Sequence, residues 1–285
     1  MILYRGGAKM IAFRTAAFYN KFIFAWKGDS RMKKLFATLT LLFALCQCAP
    51  AVPTANEIEN KYRACVPSAW GEAITGVLRR VPVTEKIVFL TFDACGGVRG
   101  SGADTRIIEL LRREKIPATL FINSRWIDAN PKLFADLARD PLFSIQNHGF
   151  THHPLSVTGR SVYGIAGTAS PREVYEEIMG CDAKIAALTG KHPRFFRSGT
   201  AYYDDVAVKI ASDLGYTIAG FDVLGDRGAT YSADEIETAA QNIRPGSIVI
   251  YHMNQPKKAT FDGVSRVIPK LKAQGWRFAK LENYL

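Results

Sequence analysis

Short apolar runs alternate with amphipathic segments along most of this 285-residue chain, and that alternation restricts the fold more than any other feature. Seven of the runs are rich in Ile, Val, Phe and Tyr, which is typical of strands. They comprise residues 86–92, 118–123, 143–147, 194–197, 216–222, 247–252 and 277–281. Six segments between them carry apolar residues at three- and four-residue spacing, which predicts helices. These segments comprise residues 105–114, 132–139, 171–188, 204–214, 233–242 and 263–274.

Strands that alternate with helices in this way predict a parallel α/β sheet or barrel. Ser170-Pro171 and Ser232 are suitable starts for two of the helices. The sequence has no internal repeat and no sign of a second domain. We therefore expect a single α/β domain over residues 85–285, preceded at 52–84 by a polar, irregular N-terminal arm.

The first 51 residues have the features of an export signal rather than of the folded domain. Met32-Lys-Lys is followed by a predominantly apolar stretch of 11 residues at 35–45 and then by Ala49-Pro50-Ala51, the order found in secretory signal peptides. Eleven residues are too few to span a bilayer core, which needs about 20. We predict cleavage after Ala51, a periplasmic or secreted protein, and no stable membrane insertion after the signal is removed. Residues 1–31 would be an unusual extension of that signal, and translation from Met32 would omit them.

The charge distribution argues against a nucleic-acid partner. Residues 1–51 carry eight of the 37 Lys+Arg and one of the 26 Asp+Glu, so the net charge falls from +11 to +4 without them. The remaining basic residues form only short pairs rather than the basic face that nucleic acids require. Three cysteines remain, Cys65, Cys95 and Cys181, and one disulfide plus one free thiol is compatible with export.

Chemically capable side chains follow five of the apolar runs. They are Asp93, His148, Arg197, Asp222 and His252. The carboxyl ends of parallel strands share one face, so residues distant in the sequence converge there. This placement predicts an enzyme. Glycine-rich loops at 96–102 and 156–169 follow two of these residues and are either lids of the active site or ordinary surface loops.

The histidine cluster is the strongest local signal. Three of the five histidines lie in the segment Asn147-His148-Gly-Phe-Thr-His152-His153. His148 and His152 can bind one divalent ion through their ring nitrogens and leave a coordination position open for water or substrate. The alternative is that these rings cap a turn. We assign no role to His153 or His192.

Five short motifs follow one another in a fixed order. They are Leu90-Thr91-Phe92-Asp93, the His148/His152 pair, Phe196-Arg197, the strand that ends at Asp222, and Ile248-Val249-Ile250-Tyr251-His252. Together they resemble the motifs of the polysaccharide deacetylase (NodB-homology) family over residues 85–285. The resemblance implies a distorted seven-stranded (β/α) barrel. It also implies a hydrolase of non-peptide carbon–nitrogen bonds that uses a metal to remove acetyl groups from a glycan.

The resemblance also implies the roles of individual residues. Asp93 is then the general base, and Arg197 holds it ionised. His252 is the general acid, tuned by Asp222 or Asp226, of which Asp222 is preferred because it ends the strand. The backbone N–H of Thr200 is the expected oxyanion donor, although the loop after Arg197 departs from the family's Pro-Pro-Tyr-Gly. Asp204 is expected to cap a helix.

One motif departs from the family in a way that affects the metal. The family has a second aspartate, a metal ligand, where this chain has Ala94. Asp104 and Cys95 are the available replacements. We prefer Asp104, because the glycines of loop 96–102 would let its carboxylate return beside Asp93, whereas Cys95 has other uses in packing or in a disulfide. Asp104 could instead cap the helix that begins near Thr105.

The metal ligands are therefore expected to be His148, His152 and Asp104, with zinc as the first choice and cobalt, nickel or iron as alternatives. The expected partner is an acetylated glycan, with N-acetyl groups preferred. Two other functions are open: a non-catalytic carbohydrate-binding relative, and a metal-dependent hydrolase of small cyclic amides or imides. Export favours the glycan over a cytosolic metabolite.

Overall fold

A computed structural model describes residues 52–285. Its strands are β1 Trp70–Gly71, β2 Val77–Leu78, β3 Ile87–Ala94, β4 Ala118–Ile122, β5 Phe143–Asn147, β6 Phe195–Phe196, β7 Tyr203–Asp204, β8 Thr217–Ala219, β9 Val223–Leu224, β10 Ile248–His252 and β11 Arg277–Phe278. Its helices are α1 Ala55–Tyr62, α2 Thr105–Glu114, α3 Ser124–Ala129, α4 Pro131–Arg139, α5 Pro171–Thr189, α6 Asp205–Asp213, α7 Ala233–Ala240 and α8 Thr260–Ala273. The predicted signal at 32–51 lies outside the described residues.

The main sheet is parallel and curved, as the alternation of strands and helices predicted. Its strand order is β2-β8-β6-β5-β4-β3-β10-β9, and β11 pairs with the start of β3. All seven predicted strands belong to this distorted (β/α) half-barrel, a single α/β domain as expected. The short strands β1 and β7 form a separate antiparallel pair. Within residues 52–285, no helix is both long enough and apolar enough to cross a membrane.

Alternation along the central strand β3 separates the core from the site. Val88, Leu90, Phe92 and Ala94 pack in the apolar layer between the sheet and its covering helices. Phe89 belongs to the second layer, inside the curve of the sheet. Because alternate strand residues share a side, Thr91 and Asp93 also face inward. β3 is buried along its whole length, as is typical of a parallel strand covered on both faces.

The N-terminal arm contains a helix, α1, that periodicity did not predict. Thr54 and Glu57 form a reciprocal capping box at its start, a signal that is visible in the sequence. Ile58 and Tyr62 pack into an apolar cluster that includes Val174 of α5. The arm is therefore attached to the domain by apolar burial and is not irregular throughout. The other helix that was not predicted, α3, has only six residues.

Candidate active site

A buried ion pair joins two of the strands at their carboxyl ends. Asp93 lies in β3, and Arg197 follows β6 directly. The Arg197 Nη1 donates to Asp93 Oδ1 at 2.7 Å. Its remaining guanidinium nitrogens donate to the carbonyl oxygens of Ala219 at 2.9 Å and Gly220 at 2.8 Å. The guanidinium also lies over the Phe121 ring, 4.2 Å from its centroid. Arg197 is thus fully satisfied although none of its surface reaches solvent.

This pairing keeps Asp93 available as a base. Burial by itself raises the pKa of the Asp93 carboxyl. The positive charge of Arg197 and the nearby His148 and His252 together lower this pKa by more than burial raises it, so the net shift is downward. Asp93 Oδ2 also lies 3.6 Å from His148 Nε2. The role that the sequence predicted for Asp93 and Arg197 is compatible with this arrangement.

His252 lies beside Asp93 because their strands pair in register. β10 and β3 are parallel neighbours, and His252 is the partner of Asp93 in the ladder. The imidazole Nδ1 of His252 is 2.8 Å from Asp226 Oδ1, and the other carboxylate oxygen accepts the His252 backbone N–H at 2.7 Å. Burial lowers the pKa of His252, but the charges and hydrogen bonds of Asp226 and Cys95 together raise it more, so that the net pKa lies well above its ordinary value. The ring is thus poised to donate a proton from Nε2.

The preference for Asp222 as the partner of His252 was wrong. Asp222 accepts hydrogen bonds from Ser247 Oγ and from the backbone N–H of Ile248, both at 3.0 Å. It therefore anchors the beginning of β10, whereas His252 is at the end of that strand. The chain turns after β9 and brings Asp226, completely buried, to the histidine instead.

Cys95, His148 and His152 form the one group in the described part of the chain that could hold a metal ion. Their ligand atoms all lie within 4.8 Å of one another, and Cys95 Sγ is 3.8 Å from His148 Nε2. Sulfur and nitrogen ligands of a tetrahedral zinc ion lie about 3.6 Å apart, given bonds of about 2.3 and 2.0–2.1 Å. The Cys95–His148 separation needs little adjustment to fit such an ion.

The hydrogen bonds of the two imidazoles favour the same interpretation. His148 Nδ1 is 2.9 Å from the carbonyl oxygen of Arg197, so that nitrogen carries the proton and Nε2 keeps a free lone pair. His152 Nε2 is buried and has no hydrogen-bond partner among residues 52–285. A buried nitrogen without a partner is costly unless a ligand occupies it. The residues present therefore fit a divalent cation.

The structure does not bring Asp104 to the histidines, and the preference for it was wrong. Asp104 is the N-cap of α2, where its side chain accepts from the Arg106 backbone N–H at 3.2 Å. It also binds the Arg106 guanidinium through both carboxylate oxygens, at 2.8 and 2.7 Å. The carboxylate is fully used there. The alternative that the sequence left open, a helix cap, is the one that the structure contains.

Cys95 reaches the site because β3 extends to Ala94, two residues further than predicted. Side chains two apart share a side of the chain, so Cys95 follows Asp93 into the site while Ala94 packs into the core. Burial raises the pKa of the Cys95 thiol, but His152, His148 and His252 lower it more, and the net pKa is well below the ordinary value. The surroundings favour the thiolate, the form that binds metal.

Glu177 organises the histidine loop, and sequence reasoning missed it. This buried acid of α5 accepts the backbone N–H groups of Thr151, His152 and His153 at 2.7–3.2 Å, and the Thr151 hydroxyl at 2.5 Å. Gly149 makes room for it: a Cβ there would lie 2.3 Å from Glu177 Oε1. One signal was available, because Glu177 falls on the helix face that also carries Val174, Ile178 and Cys181. An acid on an apolar face needs a partner.

Thr200 is the residue whose backbone N–H the sequence predicted as the oxyanion donor. It lines a cavity of about 670 Å³ together with Asp93, Cys95, His152 and His252. Its backbone N–H has no acceptor among the residues described, which leaves it free to bind an oxyanion.

Two expectations about the remaining side chains can also be compared with the structure. Asp204 caps α6 as expected, since its side chain accepts the Ala207 N–H at 2.7 Å. Cys65, Cys95 and Cys181 are all free thiols, so the disulfide considered earlier is absent from residues 52–285.

Comparison with known proteins identifies the family. The family model described as "Polysaccharide deacetylase" matches residues 80–219. A peptidoglycan-N-acetylglucosamine deacetylase from Bacillus cereus is 26% identical over 213 residues, which cover 72% of this chain and 91% of the relative. The chain belongs to the polysaccharide deacetylase family. It is a polysaccharide deacetylase-like hydrolase, a class that acts on non-peptide carbon–nitrogen bonds.

Solved structures add two comparisons. A carbohydrate esterase family 4 pseudoenzyme from Bacillus anthracis matches with a TM-score of 0.59 and 25% identity, covering 73% of this chain and 68% of that one, and a mutant of that pseudoenzyme has restored enzymatic activity. A family 4 acetyl xylan esterase from Clostridium thermocellum, solved with a cobalt ion, matches with a TM-score of 0.58 and 21% identity, covering 70% of this chain and 90% of that one. The second comparison shows the fold alone.

The contacts of Glu177 generate a prediction about metal affinity. Glu177→Gln keeps the size of the side chain but replaces one acceptor oxygen by an NH₂ group that faces backbone donors. We expect the metal dissociation constant to rise by about 10–100-fold, the usual effect of losing a group that orients metal ligands. Cobalt titration with a competing chelator measures it. Glu176→Gln is the matched control, because Glu176 is exposed on the same helix. Equal affinity in the two variants would contradict the role of Glu177.

Proposed function

We propose that this protein is an exported, metal-dependent deacetylase that removes acetyl groups, preferably N-acetyl groups, from a glycan. One observation carries the proposal: a candidate metal centre and two oppositely charged catalytic pairs meet at one cavity. The pairs are Asp93 with Arg197 and His252 with Asp226. A base held ionised next to an acid held protonated is the arrangement that hydrolysis of an amide requires.

The cation would be held by Cys95, His148 and His152. When bound, it would polarise the acetyl carbonyl and lower the pKa of a water molecule toward about 7. One thiolate and two imidazoles suit zinc, while cobalt, nickel and iron are alternatives. The thiolate takes the place of the family carboxylate as the anionic ligand, so the expected charge of the centre is retained.

The protein's own groups account for the proton transfers. Asp93 accepts a proton from the attacking water, because its low pKa keeps it ionised and Arg197 holds its orientation. His252 donates a proton to the departing amine from Nε2, while Asp226 stabilises the positive charge on its ring. The Thr200 N–H, at the same cavity, would stabilise the oxyanion that forms when water adds to the carbonyl, a contribution of about 3–4 kcal/mol for a well-placed donor.

An N-acetylated glycan is the substrate best supported by the relatives. The curated relative from Bacillus cereus is named for peptidoglycan N-acetylglucosamine, and it is matched over 91% of its length. The pseudoenzyme relative demonstrates that this fold can lose activity. This chain, however, retains its base, its acid and three possible metal ligands, and a hydrolase of small cyclic amides would not need export.

Export itself is proposed on the sequence alone. The basic, apolar and small-residue order of 32–51 supports it. A periplasmic or secreted location would place the enzyme where cell-wall and extracellular glycans occur. It would also expose Cys95 to oxidants, and the bound cation would protect the thiolate.

The catalytic proposal is tested by acetate release. The zinc- or cobalt-loaded protein should release acetate from a β-1,4-linked N-acetylglucosamine hexasaccharide, and a chelator should abolish the release. Asp93→Asn should reduce turnover by about 10²–10⁴-fold, the usual contribution of a general base. Asp128→Asn, which changes an exposed acid on α3, is the control. Chelator-resistant release, or an active Asp93→Asn variant, would refute the mechanism.

The identity of the third ligand is tested by spectroscopy. Cobalt-loaded protein should show a thiolate-to-cobalt charge-transfer band in the near ultraviolet. Cys95→Ser should remove the band and weaken cobalt binding by more than about tenfold. A residue that coordinates the metal directly contributes at least as much to affinity as the groups that orient it. Asp104→Asn, which preserves the helix cap, should keep the band. Absence of the band from the parent, together with weaker cobalt binding in Asp104→Asn but not in Cys95→Ser, would restore Asp104 as the ligand.

The export proposal predicts a mature chain that starts at Val52. N-terminal sequencing of protein recovered from the periplasm or the medium measures this directly. Protein that stays in the cytoplasm with Met1 or Met32 intact would show the proposal to be mistaken.

A further inference from the structure

We propose that the hairpin formed by residues 162–165, which we call the Tyr163 hairpin, is a sugar-binding wall that holds a pyranose ring next to the one being deacetylated. The inference rests on the proposed function and extends it from a single acetylated sugar to a stretch of glycan. It depends on the backbone of the hairpin, on the aromatic rings behind it and on its position at the active-site cavity.

The backbone places Tyr163 at an unfavourable position. Val162 and Ile165 exchange two backbone hydrogen bonds, at 3.1 and 2.9 Å, which makes Tyr163 and Gly164 a two-residue turn. Their φ angles are +55° and +74°. Such turns usually carry Asn or Gly, because positive φ is disfavoured for bulky side chains. Residues with strained backbone angles concentrate at ligand-binding sites, where the strained conformation holds a side chain in the position that the ligand requires.

The turn presents an aromatic ring to solvent. Tyr163 is 71% exposed, which makes it one of the most exposed large apolar residues in the described chain. Its ring meets the Tyr202 ring nearly at right angles, with centroids 5.7 Å apart. Tyr202 in turn lies 5.7 Å from Trp70, and Arg160 lies over the Trp70 ring. This row of rings supports Tyr163 from one side and leaves most of its surface open.

The open ring borders the catalytic cavity. Tyr163 and Ile165 line the same 670 Å³ space as Cys95 and His252. That volume lies within the range of about 300–1,000 Å³ that is typical of small-molecule sites, and it exceeds what one acetamido group fills. Glu72 lines the same cavity and offers carboxylate oxygens to hydroxyl groups. The cavity therefore has room, next to the reacting centre, for a further sugar.

A pyranose ring has the chemistry that this wall would recognise. The face of an aromatic ring has a negative electrostatic potential, and the axial C–H groups of a pyranose present a weakly positive, apolar face. Tyrosine provides this contact at a low cost in conformational entropy, because it has only two side-chain torsions. Glu72, which lines the same cavity, would accept hydrogen bonds from the hydroxyl groups at the edge of the sugar.

The test compares ring removal with ring retention. Tyr163→Ala should raise the KM for the N-acetylglucosamine hexasaccharide by about tenfold, equivalent to 1.4 kcal/mol of lost contact, and should weaken binding of the same hexasaccharide in calorimetry. Tyr163→Phe, which keeps the ring, should restore both values. Tyr163→Gly should weaken binding as Tyr163→Ala does, without lowering the thermal midpoint appreciably, because glycine tolerates positive φ. The control is Tyr284→Ala, which removes another partly exposed tyrosine that does not line the cavity.

The outcomes separate this inference from the proposed function. Metal-dependent acetate release with the same KM in Tyr163→Ala and in the parent would overturn the sugar wall and leave the deacetylase intact. Absence of acetate release from the parent would refute deacetylation of this substrate. Calorimetry would then test the sugar-binding role of the Tyr163 hairpin by itself. No binding by the parent, or equal binding by parent and Tyr163→Ala, would overturn it. A preference of the parent for the hexasaccharide over the disaccharide that disappears in Tyr163→Ala would support it.

Discussion

The buried ion pair between Asp93 and Arg197 is the interaction on which the rest of the site depends. Arg197 holds the base through its guanidinium, and its carbonyl oxygen fixes the proton of His148 on Nδ1. One residue thus sets the state of both the proposed base and a candidate metal ligand. Burying such a pair is expensive, and removing one partner typically costs 3–5 kcal/mol because the other charge is left uncompensated. Three further hydrogen bonds from the guanidinium, to Thr91 Oγ1 and to the carbonyl oxygens of Ala219 and Gly220, offset this cost together with the Phe121 ring.

Charge balance explains how the chain can lack the family's second aspartate and still fit a metal. A thiolate supplies the same single negative charge as a carboxylate, and the surrounding histidines already favour that form of Cys95. Ala94 lies on the opposite side of β3, within the apolar layer. A carboxylate at that position would be buried among hydrocarbon side chains. A candidate anionic ligand at residue 95 instead of 94 therefore agrees with the alternation of the strand.

The errors in the predictions from sequence all concern side chains whose partners are set by tertiary contacts. Strands and long helices were predicted well, because their periodicity depends on burial of one face or stripe. Asp222 and Asp104 were misplaced because each belongs to a loop or a helix start, where direction is decided by backbone turns and by competing partners. Asp104 is taken by Arg106, and Asp222 by the beginning of β10. Glu177 was overlooked because its partners are backbone N–H groups, which no side-chain motif records.

The sequence by itself determined the parallel α/β architecture, the family, and the convergence of Asp93, His148, Arg197 and His252. The architecture and the convergence follow from patterns that repeat over many residues and from the shared direction of parallel strands, whereas the family follows from the resemblance of five short motifs in a fixed order. Only the tertiary structure decided that Cys95 rather than Asp104 joins the histidines, that Asp226 rather than Asp222 pairs with His252, and that Tyr163 borders the cavity. Such choices depend on differences of a few ångströms between loops, which local sequence does not encode because distant residues compete for the same hydrogen bonds.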